Sequence, residues 1–194
     1  LEELDRHFKN GRSVIAVTGH YSNWEWGSPS MSIINPHPTL VVFKPQTDKD
    51  FEKLINGWRS RFGSVMVPMK QTLRRVLEHR GNPSMLILIG DQTPPREESQ
   101  FFTQFLNQPT AVFLGVEKIA KLTNSPVVYF HIDRVGRGCY KVYVKTLFEN
   151  PKETNEYEIT IAHTRELEKI IIRKPELWLW SHKRWKFKPE DLKK

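Results

Sequence analysis

The chain lacks most of the features that would classify it at sight. It holds a single cysteine, Cys139, in 194 residues, which excludes an internal disulfide and a cysteine-built zinc site. No apolar run approaches the ~20 residues that span a bilayer as a helix, and the N-terminal residues do not read as a signal peptide. P-loop and G-x-G-x-x-G patterns are missing, so nucleotide cofactors are not indicated. Neither H-E-x-x-H nor H-x-x-x-H occurs, and His37 and His131 are better explained as lone core histidines than as metal ligands. Ser22 has no glycine two residues to either side, which disfavours a hydrolase nucleophile elbow. With no repeat, low-complexity tract or linker, residues 1–194 read as one domain.

What is present describes a globular body, 38% hydrophobic and 27% charged. Thirty Lys and Arg against 22 Asp and Glu leave a net charge of +8, which favours phosphates, nucleic acid, an anionic bilayer or an acidic protein as partner. The basic residues crowd the C-terminus as Arg173, Lys174, His182, Lys183, Arg184, Lys186, Lys188, Lys193 and Lys194. Trp178, Trp180, Trp185 and Phe187 lie among them. Cations beside indoles suit a membrane interface, and they suit base stacking on nucleic acid as well.

Apolar runs rich in β-branched residues alternate with segments of helical period, the pattern of an α/β fold with a mostly parallel central sheet and flanking helices. Strands are predicted over 13–19, 39–43, 64–68, 84–90, 126–132 and 139–147, the last two antiparallel and forming an edge across the turn at 133–138. Phe51, Leu54, Ile55, Trp58 and Phe62 form the stripe of an amphipathic helix closed by Gly63. Further helices are expected around Leu73–Leu77, from Val112 to Thr123, and from a capping box of Asn155 and Glu158 onward to the approach of Pro175.

The chemistry concentrates where the first buried strand ends, at Gly19-His20-Tyr21-Ser22-Asn23-Trp24-Glu25. Open α/β sheets place their sites at the carboxyl ends of strands, and a histidine held by a carboxylate can take a proton from a hydroxyl. His20 and Glu25 would point about 140° apart on one continuous helix. They converge only if His20 lies in the strand exit and Glu25 in the first turn of a helix capped by Ser22 or Asn23. Asp91 follows another apolar strand in Gly90-Asp91-Gln92, and parallel topology would bring it to the same rim, so either acid can orient the imidazole. Lys44 after the second strand and the helical pair Arg59 and Arg61 are candidate ligands for an anionic headgroup, phosphate or developing oxyanion.

Gly19-His20-Tyr21-Ser22-Asn23-Trp24-Glu25 resembles the H-x4-D/E block of glycerolipid-type acyltransferases, in the form seen in the lipid A biosynthesis (lauroyl/myristoyl) acyltransferase family. Val42-Phe43-Lys44-Pro45, Gly90-Asp91-Gln92 and Pro175-Glu176-Leu177-Trp178-Leu179-Trp180-Ser181-His182-Lys183-Arg184-Trp185-Lys186 are similar to further blocks of that family, in the same order. The resemblance implies a glycerolipid-acyltransferase-like fold and O-acyl transfer without a cofactor, from acyl carrier protein or coenzyme A thioesters to a lipid acceptor. The implied location is the cytoplasmic face of a bacterial inner membrane. It implies catalytic roles for His20, Glu25 and Asp91, and substrate contacts by Asn23, Lys44, Gln92 and Arg184, to which the helical residues themselves add Arg59 and Arg61 as candidate phosphate ligands. Lys44 stands where arginine is more frequent, keeping the charge but losing the two-pronged fork. Because such proteins usually carry a membrane helix before this domain, the abrupt start predicts that an anchor segment is missing. Hydrolysis on the same site and a basic nucleic-acid-binding module are the alternatives; the latter leaves the His20 block unexplained.

Overall fold

The computed structural model describes residues 2–192, so Lys193 and Lys194 of the basic C-terminal cluster lie outside the described residues. Its frame is a six-stranded sheet in the order β3-β2-β4-β1-β7-β8. Strands β1 (Val14–Thr18), β2 (Thr39–Phe43), β3 (Val65–Pro68), β4 (Met85–Ile89) and the start of β7 (Val127–Gly136) run parallel. Within this sheet only β8 (Cys139–Phe148) is antiparallel, paired with β7 as an edge hairpin. β1 is buried at every residue, as a parallel strand covered on both faces must be.

Alternation along the central strands builds two cores. Ile15, Val17, Leu86 and Tyr129 face one side and pack with Ile159, Leu167 and Ile171 of α6 (Glu158–Arg173) and Val116 and Ala120 of α5 (Gly115–Thr123). Val14, Ala16, Ile87 and Phe130 face the other and pack with Leu4 and Phe8 of α1 (Glu2–Lys9) and Met31 of α2 (Gly27–Ile34). The result is an α/β three-layer body with strand ends free at its rim.

The predicted strands all form, with β7 extending to Gly136. A second two-stranded sheet, β5 (Phe102–Phe105) with β6 (Gln108–Ala111), escapes the periodicity because each strand has four residues and β6 contains a proline. Helices α3 (Lys49–Arg59) and α4 (Thr72–Glu78) form as expected, yet α3 buries none of its residues, and Phe51, Leu54 and Trp58 are exposed. The start of α6 also differs from a reciprocal capping box. Glu158 accepts from the Asn155 N–H, but the open N–H groups of Tyr157 and Thr160 donate to buried Glu117 of α5. A carboxylate from a neighbouring helix thus does the capping that the local sequence assigned to Asn155.

Candidate active site

Two paired strands end level with one another at the rim. Thr18 of β1 sits beside Ile89 of β4, and each strand continues through one glycine, Gly19 or Gly90, to a residue two positions on. These residues are His20 and Asp91, and their equal offsets bring the side chains together. His20 Nδ1 lies 2.5 Å from Asp91 Oδ1, and the His20 backbone N–H donates to Asp91 Oδ2 at 2.8 Å. Trp178 Nε1 donates to the same Oδ2 at 2.9 Å. A Cβ on Gly19 would stand 2.7 Å from Leu167 Cδ1 and 3.2 Å from Asp91 Oδ2, so glycine is what lets the strand exit pass this close to the carboxylate.

Burial by itself would push the Asp91 carboxyl upward. Hydrogen bonding and charge from the His20 ring, with the Trp178 indole and the His20 N–H, outweigh it and hold the group below the ordinary aspartate value. An ionised Asp91 can only accept, so the shared proton belongs to Nδ1 and the lone pair of His20 to Nε2. The amide of Gln92 lies 3.4 Å from that Nε2. The His20 side chain is 17% exposed against 3% for its partner: an acid in the interior orients an imidazole that reaches solvent.

The C-terminal segment straps this loop down. Ser22 N–H donates to Leu177 O at 2.7 Å, Leu179 N–H donates to His20 O at 3.1 Å, and Tyr21 pairs antiparallel with Trp178. Tyr21 anchors the loop from beneath through its hydroxyl, which donates to Ile170 O of α6. Beside it, His182 Nε2 accepts the Thr93 N–H at 2.9 Å, with its ring held below the ordinary histidine value by burial and by the positive charge of Arg184. The site is therefore built from β1, β4 and a segment that lies some ninety residues further along the chain.

Glu25 takes another course. It lies in a 3-10 turn, Trp24–Trp26, which leads into α2; Asn23 makes no side-chain cap and Ser22 adopts φ +54°. Its carboxylate is gripped by Arg59 of α3, Nε to Oε2 at 2.9 Å and Nη2 to Oε1 at 2.5 Å. No bond joins Glu25 to His20 among the described residues, and Asp91 is the acid that holds the imidazole.

The remaining candidates divide. Gln92 reaches His20, and Lys44 stands exposed just past the end of β2. Asn23 contributes its carbonyl to the Trp26 N–H, and Arg61 is exposed with its guanidinium 5.8 Å from the Phe62 ring. Arg59 is committed to Glu25 rather than standing free for a phosphate. Arg184 departs furthest from expectation: it is 3% exposed, donates from Nη1 to Ala111 O at 2.7 Å, and burial lowers its pKa to about 10. Aromatic packing draws it inward, because its strap carries Trp178 and Trp185 into the core and the guanidinium follows to lie 5.8 Å from the Phe105 ring. Trp178 and His182 were not singled out individually by the sequence; their one signal was the fixed spacing of the C-terminal Trp-x-Trp-x-His block. No group of three or more His, Cys, Asp or Glu side chains converges as a metal site among the described residues.

The family model of bacterial lipid A biosynthesis acyltransferases matches residues 1–187. Among curated relatives, the lipid A biosynthesis palmitoleoyltransferase of Escherichia coli (strain K12) is 24% identical over 193 residues, covering 97% of this chain and 61% of its own length. The lipid A biosynthesis acyltransferase of Shigella flexneri matches with the same figures, 24% identity, 97% of this chain and 61% of the relative. The chain thus spans about three-fifths of the length of these relatives. It belongs to the bacterial lipid A biosynthesis acyltransferase family.

Proposed function

We propose that this family member moves a fatty acyl chain from an acyl thioester of acyl carrier protein or coenzyme A to a hydroxyl of a lipid A precursor or related membrane lipid, with His20 as general base. The observation that carries the reading is the Asp91–His20 bond, which puts the imidazole proton on Nδ1 and leaves the lone pair on Nε2. In this scheme the acceptor hydroxyl displaces the long Gln92 contact at 3.4 Å and gives its proton to Nε2. Its oxygen attacks the thioester carbonyl carbon, the C–S bond breaks, and the departing thiolate takes the proton back from the imidazolium. Asp91 stabilises that imidazolium without accepting its proton. Backbone N–H groups at the rim, with Lys44, are the proposed partners of the oxyanion.

Reaction at the cytoplasmic face of a bacterial inner membrane is part of the proposal, because an activated thioester and a membrane lipid must meet there. No helix among the described residues is long and apolar enough to cross a membrane. Contact with the bilayer and with acceptor phosphates or an acidic carrier protein is assigned to the exposed basic residues of the C-terminal strap, such as Lys183 and Lys186. Added salt should then raise KM for donor or acceptor.

The test is mass spectrometry of products when acyl-carrier-protein and coenzyme A thioesters are offered with lipid A precursors, phospholipids and glycolipids. A newly acylated lipid, formed about 10²- to 10⁴-fold more slowly by folded His20→Ala, is the expected result. Release of free fatty acid regardless of acceptor would instead identify a hydrolase, and full activity of His20→Ala would remove the histidine from the mechanism.

A further inference from the structure

Behind the carboxylate lies a small cavity lined by Thr18, Gly90, Asp91, Tyr129, His163 and Arg184, among others. A water-sized sphere has about 10 Å³ in which to sit, close to the ~10–15 Å³ that one water molecule requires. Three residues of its lining each carry a buried polar atom with no hydrogen-bond partner among the described residues: Tyr129 Oη, His163 Nε2 and Arg184 Nε. These residues are only 3%, 4% and 3% exposed, so bulk water does not satisfy them. Orphaned polar atoms inside a protein are uncommon and costly, and three around one void are not explained by packing.

We propose that this cavity is a binding site for one ordered water, which Tyr129, His163 and Arg184 hold against Asp91 so that it donates a hydrogen bond to the carboxylate. The bookkeeping of donors and acceptors closes. Asp91 receives three donors, the His20 ring, the His20 N–H and the Trp178 indole, out of about four that a carboxylate accepts, and the free position is on Oδ1. Arg184 Nε–H donates to the water. The Tyr129 hydroxyl and the His163 ring can each donate or accept, and both stay neutral: burial lifts the phenol well above the ordinary tyrosine value and lowers the imidazole to about 4. The charged and titratable groups facing Asp91 are then His20 and His182 at the rim and Arg184, Tyr129 and His163 beneath. Arg184, removed from solvent, polarises the water toward the carboxylate and shares its charge with Asp91 across one molecule. Tyr129, His163 and Arg184 are accordingly positioning residues for the acid that orients the proposed base, and this part of the inference rests on the general-base reading of His20.

Two measurements decide it. A high-resolution crystal structure should show a water within hydrogen-bond distance of all three atoms, and an empty cavity or direct pairing among those atoms overturns the proposal. Tyr129→Phe keeps the aromatic ring and removes one tether, leaving Asp91 more basic. The expected results are a displaced proton NMR resonance for the His20 Nδ1–H and an acidic limb of the kcat/KM profile moved up by about 0.5–1 pH unit. His163→Leu should do the same, and His163→Gln, which returns an amide near Nε2, should recover most of the loss. Folded variants with unmoved resonance and unmoved pH limb overturn the proposal. The NMR signal and the bound water require no turnover, so a failure of the acyl-transfer reading is told apart from a failure of the water site.

Discussion

Two acids stand near the mouth of this protein and their surroundings are opposite. Asp91 is nearly sealed from solvent, receives three neutral or ring N–H donors, and meets a histidine; Glu25 is one-third exposed and meets a guanidinium. The first arrangement leaves an imidazole oriented, with the lone pair of Nε2 turned away from the acid. The second neutralises a charge and ties the 3-10 turn after the loop to α3. Sequence distance misleads here: five residues separate Glu25 from His20 and seventy-one separate Asp91, but in-register pairing of β1 with β4 brings the distant one into contact.

The largest test of that contrast is Asp91→Asn beside Glu25→Gln. An asparagine amide would face at least one N–H donor and would favour the wrong imidazole tautomer, so a loss on the order of 10³- to 10⁴-fold in kcat is expected with the fold retained. If Glu25→Gln costs more than Asp91→Asn, the assignment of the orienting acid is reversed.

Acid should strike the Asp91 side of the molecule first. His163 is buried with its pKa lowered to about 4, so the folded state refuses a proton that the unfolded chain binds below about 6.5. The unfolded state therefore binds more protons, and stability falls as pH drops from about 6.5 through about 4, by on the order of 3 kcal/mol. Denaturant melts across this range should show the slope, and His163→Leu should flatten it; an unchanged slope would place His163 in wetter surroundings than its burial indicates.

Gly19→Ala pushes a methyl group into Leu167 and toward Asp91, and chemical denaturation should register a loss of about 1–3 kcal/mol. Trp178→Phe keeps the aromatic packing with Phe105 but deletes one donor to Asp91, which should lower kcat about fivefold to tenfold. Smallest is Glu25→Gln itself. Loss of a partly exposed ion pair should cost at most about 1 kcal/mol in stability, seen as a minor Tm shift.

Much of the frame was legible in the sequence because it follows short-range rules. β-branched apolar runs marked the six strands of the large sheet, and the stripe at Phe51, Leu54 and Trp58 marked α3. The same pattern misdirects about partners: a period of 3.6 shows which face of a helix is apolar but not that α3 lies with that face exposed. The β5–β6 hairpin and the capping of α6 by Glu117 were beyond reach for a related reason, since four-residue strands carry little period and a cap supplied by another helix leaves no local trace.

The order of residues by itself determined that His20 and Asp91 would each follow a buried strand, and therefore that both would be delivered to strand ends. Tertiary structure alone decided that those strands are neighbours in register, that Trp178 returns to share the Asp91 carboxylate, that Arg59 removes Glu25 from competition, and that Arg184 turns inward. Strand propensity is a property of a few adjacent side chains, whereas a hydrogen bond between residues seventy or ninety positions apart depends on which strand pairs with which, and that pairing is settled by burial summed over the whole sheet.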